Sequence, residues 1–110
     1  MGLRPFHLAF PVNDMDATKD FYTDVLGCSI GREQLDSYVF NFQGHQIVAH
    51  LVEAMPTLAT NPVDGHAVPS MHFGLVLAWD DWHDLRKEWE SAGQPFALGP
   101  YTRYAGRPGS

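Results

Sequence analysis

The chain has 110 residues, of which 45% are hydrophobic, so it has room for one domain with a modest core and none for a second. Its formal net charge of −6, with only seven scattered Lys and Arg, excludes a surface built for nucleic acid or an anionic membrane, which needs clustered cations. A single cysteine, Cys28, rules out an intrachain disulfide framework; no leader-like segment and no apolar run near the ~18 residues of a membrane span is present, so a cytoplasmic protein with a small-molecule or subunit partner is expected.

In residues 5–12, PFHLAFPV, Leu8, Phe10 and Val12 share one face and His7, Ala9 and Pro11 the other, the alternation of a half-buried strand. Asp14 is a helix N-cap. The apolar stripe of Met15, Ala17, Phe21, Tyr22, Val25 and Leu26 stops at Gly27, a C′ residue, and this helix is expected on the Leu8 face. After Cys28 come the strand-like runs SYVFNFQ and HQIVAHLV on either side of Gly44, which read as a hairpin and complete a βαβββ unit. Cys28 follows a helix C-terminus, where the dipole disfavours a thiolate, so it is not expected to be a nucleophile.

Residues 54–69 hold three prolines and no periodicity, and are expected to be a connector. Beyond them the first pattern returns. His72 opens HFGLVLA, with His72, Gly74 and Val76 on one face, and a helix follows from Asp80 with Trp82, Leu85 and Trp89 as its stripe. His7 to Gly27 spans 20 residues and His72 to Gly93 spans 21, so one strand–helix unit is used twice. A full second copy would need a last strand near position 115, and the second half reads as incomplete.

Each copy places an imidazole at the start of a strand, and paired neutral imidazoles are common transition-metal ligands. Taken singly, each is as well explained by a hydrogen bond to backbone; the equivalent placement of His7 and His72 is what favours a site. On HQIVAHLV, Ile47, Ala49 and Leu51 form the packing face, which puts Gln46, Val48 and His50 on the cavity side. His50 is expected either to join His7 and His72 as a ligand or to contact substrate, and it is the candidate base. His45 is expected to be structural or exposed, and His66 and His83 solvated. Tyr38, Phe40 and Phe42 share a face that is either core or the wall of an aromatic pocket. Trp79 is open to either role, and Arg103 and Arg107 belong to a solvated tail or hold an anionic group.

The strings FHLAFPVNDMDATKDFYTDVLGC, NFQGHQIVAH and MHFGLVLAWDDWHDL resemble the vicinal oxygen chelate superfamily of glyoxalases, bleomycin and fosfomycin resistance proteins and extradiol dioxygenases, most of all the predicted extradiol-dioxygenase-like branch. The resemblance covers nearly the whole chain. It implies an α+β fold in which paired βαβββ modules form a curled mixed sheet with helices outside: a first module over 1–53, a connector over 54–69 and an incomplete second module over 70–110. It implies a divalent metal, Fe(II) before Ni, Zn or Mn, held by His7 and His72, with His50 in the place of the ligand from the fourth strand. The family's last ligand, a glutamate in a strand after an Asp-Pro-x-Gly-Asn type turn, has no counterpart here. The functions implied are ring cleavage of a catechol-like substrate, a glyoxalase-like isomerisation or lyase reaction, or metal-free sequestration of a small molecule such as an antibiotic; a homodimer is implied throughout.

Overall fold

The computed structural model describes residues 3–100, which fall into two compact units, Met1–Ser70 and Met71–Ser110. The first is built on β1 (His7–Val12), α1 (Met15–Asp20), β2 (Ser29–Glu33), β3 (Ser37–Phe42) and β4 (His45–Leu51). Its four strands lie in the order β1-β4-β3-β2, with β1 parallel to β4 and the other pairs antiparallel. This is the expected βαβββ unit.

Local chemistry explains each boundary. Asp14 caps α1 through its side chain, which accepts from the Ala17 N–H at 2.9 Å. The helix then widens into a π-helical turn, Phe21–Val25, in which the Leu26 N–H reaches back to the Phe21 carbonyl, and Gly27 at φ +70° ends it. The wider turn rotates the buried stripe. Thr18 is buried and Tyr22, Val25 and Leu26 are half-buried, whereas Ala17 and Phe21, placed on the stripe by a uniform helical period, are exposed. Gln43 at φ 53° and Gly44 at φ 90° join β3 to β4 in a two-residue turn with both central residues left-handed, the geometry that matches strand twist.

The helix lies on the Leu8 face, as expected. The Tyr22 ring stacks on Phe40 at 5.2 Å and meets Phe10 at 5.4 Å. Phe40, Ile47 and Ala49 are the most enclosed residues of the core, with Phe42, Val48 and Cys28 around them, so the aromatic face of β3 is core. Burial also pushes the Tyr22 hydroxyl up to about 12 and raises the Cys28 thiol.

Residues 54–69 are not a bare connector. They contain β5 (Thr60–Val63) and β6 (His66–Pro69), an antiparallel hairpin turned by Asp64 at φ 50° and Gly65 at φ 81°. His66 therefore lies on an exposed strand and not in a loop.

In the second unit α2 (Trp79–Ser91) ends before Gly93 at φ 74°, with Trp82, Leu85 and Trp89 half-buried as expected. His83 is not solvated: it is half-buried, with its ring 4.4 Å from Trp79 and 4.9 Å from Trp82. Trp79 itself is exposed. Residues 74–77 keep the expected alternation, Leu75 and Leu77 half-buried and Val76 exposed, whereas Phe73 is exposed, and among the described residues 72–78 belong to no strand. Arg103 and Arg107 lie outside the described residues, and so does any test of a tail or anion role for them. No helix among the described residues is long and apolar enough to cross a membrane.

Candidate functional site

The face of the first sheet opposite Tyr22 carries the side chains that can do chemistry. The pairings His7↔Gln46, Gln46↔Asn41 and Asn41↔Ser29 set four polar residues in one row across β1, β4, β3 and β2. Ala9, Val48 and Val39 form the next row, so an apolar band runs beside the polar one. Strand alternation brings both rows to this face.

Two hydrogen bonds organise the polar row. The His7 Nδ1–H donates to the Gln46 Oε1 at 2.6 Å, which fixes the ring and leaves the Nε2 lone pair as its free coordinating position. The Asn41 Oδ1 accepts from the Gly44 N–H at 2.7 Å, which ties the row to the β3–β4 turn. Beside these residues lies a groove of about 330 Å³, lined in part by Ser29, Gly31, Val39, Asn41 and Gln46. That volume suits a ligand of about one aromatic ring.

His50 does not join His7. It shares the face but pairs with Pro11 and Ser37, so four residues of strand separate it from the His7–Gln46 pair. At the rise of an extended strand this is about 13 Å, far beyond a shared coordination sphere or a direct proton transfer. The residue of β4 beside His7 is Gln46. Parity had placed Gln46 on the correct face, but parity does not set register, and the parallel β1–β4 pairing spans 39 residues of chain. His45 is structural: its Nδ1 accepts from the Phe6 N–H at 2.8 Å and pins the start of β1. His72 stands in the second unit.

As a test of metal fit, His7 has the orientation of a ligand, with its other ring nitrogen held by an amide oxygen. No group of three His, Cys, Asp or Glu side chains that could hold a metal ion occurs among the described residues. The donor set visible here is therefore a single prepared imidazole.

A βαβββ sheet with a helix on one face and a row of polar side chains on the other defines an α+β protein. The chain belongs to the Glyoxalase/Bleomycin resistance protein/Dioxygenase superfamily, whose family model matches residues 4–107. A glyoxalase/bleomycin resistance protein/dioxygenase from Alicyclobacillus acidocaldarius is similar at 30% identity, over 94% of this chain and 74% of that one, with a TM-score of 0.73. A virulence protein from Salmonella typhimurium shares the fold at 24% identity and a TM-score of 0.59, over 94% of this chain and 79% of that one. An integron cassette protein from V. Cholerae does so at 21% identity and 0.57, over 94% and 77% of the two chains. No curated protein matches the chain.

Proposed function

We propose that this chain is a metal-dependent member of its superfamily, of the extradiol-dioxygenase type, acting on a small substrate with two adjacent oxygens such as a catechol. The observation that carries this reading is the His7–Gln46 bond at 2.6 Å, which prepares one imidazole Nε2 as a metal ligand on the face of the sheet opposite Tyr22. His7 would serve as a ligand of the ion, Fe(II) by preference, through its free Nε2. Such an ion would supply Lewis acidity and a template for vicinal oxygens. The protein's own part would be to orient His7 through Gln46 and to seat the organic part of the ligand along Val39 in the neighbouring groove. The active unit in this reading is a homodimer, supported by β1, which has β4 as its one sheet neighbour among the described residues.

A second reading is a metal-free protein that sequesters a small molecule. It is favoured by the absence of any three-residue donor group among the described residues. One titration separates the two: Fe(II), Ni(II) and Zn(II) added anaerobically to the native chain and to a His7→Ala/His72→Ala double variant, followed by calorimetry. Stoichiometric binding lost in the double variant is the expected result. Equally negligible binding in both would sink the metal reading and leave the sequestering one, and turnover with redox-inert Ni(II) or Zn(II) in the absence of O2 would move the chemistry from ring cleavage to isomerisation.

A further inference from the structure

The polar row has an asymmetry that its own hydrogen bonds create. Asn41 and Gln46 each carry an amide with an oxygen acceptor and an NH2 donor group. In both, the oxygen is engaged within the protein, by the Gly44 N–H at 2.7 Å and by the His7 Nδ1–H at 2.6 Å. What each amide still offers is its NH2. The two residues are direct cross-strand partners, and Ser29, the partner of Asn41 on the other side, adds a hydroxyl. The groove is thus edged by neutral donors in line.

The rest of the lining narrows the ligand further. It includes the ring of His45 but no Asp, Glu, Lys or Arg. With no cation in the lining and a net charge of −6 on the chain, an anionic group finds no countercharge. A cationic group would meet donor hydrogens, which repel it. The floor is the strand backbone with Val39, and Gly31 leaves it flat: a Cβ there would meet only the Val39 carbonyl oxygen, at 3.6 Å. Nothing in that geometry opposes a side chain at this position except the loss of the groove.

We infer that the groove at the β3–β4 turn binds an uncharged, planar ligand through a carbonyl-type oxygen, which accepts from the Asn41 Nδ2 and Gln46 Nε2 donors while the ring lies over Gly31 and Val39. The inference rests on the reading that this face is the ligand-binding face, and it names the class of group recognised there. Recognition of this kind is selective because a donor pair left without an acceptor loses its hydrogen bonds to water for nothing.

The test uses three probes of one size, benzamide, benzoate and benzylamine, titrated into the chelator-treated protein and followed by backbone amide shifts. Benzamide is expected to move the resonances of residues 29–31, 39–41 and 46, and benzylamine, which has no acceptor for the two NH2 groups, to bind at least about fivefold more weakly, the scale set by one hydrogen bond; benzoate, whose charge finds no counterion in the groove, is expected to bind more weakly than benzamide. Asn41→Asp and Gln46→Glu keep the oxygen that the turn and His7 require and delete the NH2, so each should weaken benzamide by about fivefold or more. Gly31→Val, which leaves both donors in place and fills the floor, should abolish the shifts. Equal binding of all three probes, shifts centred on other residues, or benzamide affinity unchanged in a folded Asn41→Asp or Gly31→Val protein would each overturn the inference. Because no metal is present in this assay, benzamide bound at the groove in a chain that fails the metal titration removes only the metal reading, and metal bound without benzamide at the groove removes only this one.

Discussion

Tyr22 lets the burial of the core be read as a pH dependence. Its hydroxyl is pushed up to about 12, first by loss of solvent between Phe10 and Phe40 and second by the neighbouring Cys28. In the unfolded chain the same group titrates near ~10. Between these two values the unfolded state has released its proton and the folded state has kept it, so unfolding releases protons and stability falls as pH rises. The contribution is fully present below the unfolded value and is lost as pH climbs through the folded one. At about pH 11 the linkage amounts to about 1.4 kcal/mol, and at still higher pH it approaches about 2.7 kcal/mol. Other groups, Lys19 in its 2.7 Å pair with Glu33 among them, titrate in the same range, so the slope of the native protein alone is not diagnostic. The difference between native and Tyr22→Phe protein is. Urea unfolding of both near pH ~8 and pH ~11 should show the variant losing about 1.4 kcal/mol less than the native chain over that interval. Identical losses in the two proteins would refute the argument, because they would mean that Tyr22 ionises equally well folded and unfolded.

Phe40→Ala should cost about 3–5 kcal/mol in chemical denaturation, since a fully enclosed ring stacked on Tyr22 is removed from the centre of the sheet. Asp14→Ala should cost about 1 kcal/mol by the same assay and Asp14→Asn much less, because the asparagine oxygen still accepts from the Ala17 N–H. Gly44→Ala, at φ 90°, should lose about 1 kcal/mol from backbone strain, with no steric contribution because nothing lies within 4 Å of the added Cβ.

Most of the first unit could be read from the sequence because its signals are local. Asp14, Gly27 and Gly44 each act within four or five residues, and strand alternation fixes which side chains share a face. What depends on partners far along the chain was not legible. The register that pairs His7 with Gln46, and leaves His50 beside Pro11, is set by how β1 lies along β4 after the helix and two strands between them. The exposure of Phe21 comes from a π-helical turn, which no uniform period anticipates. The β5–β6 hairpin was signalled by Asp64-Gly65, an apt pair for a turn with both residues left-handed, but Pro62 and Pro69 argued against strands. Pro is tolerated there because, among the described residues, the hairpin has two strands and each is an edge. Within the site, strand alternation places Asn41 and Gln46 on the correct face, and only their engaged oxygens, visible in the structure, give them a directional role.

The parallel union of β1 with β4 also fixes an order of assembly. The β3–β4 hairpin closes through a two-residue turn, whereas the Gln46 N–H can reach the Phe6 carbonyl only after the intervening chain has been gathered in. Contacts of such long sequence separation are made late and slowly relative to a tight hairpin. Mutations in the Gln43-Gly44 turn should therefore slow folding, while mutations in β1 should chiefly speed unfolding, a partition that stopped-flow kinetics on Gly44→Ala and Leu8→Ala would measure. During synthesis β1 leaves the ribosome before β4 and must wait for a partner made some forty residues later, and for that interval its Leu8, Phe10 and Val12 are unprotected.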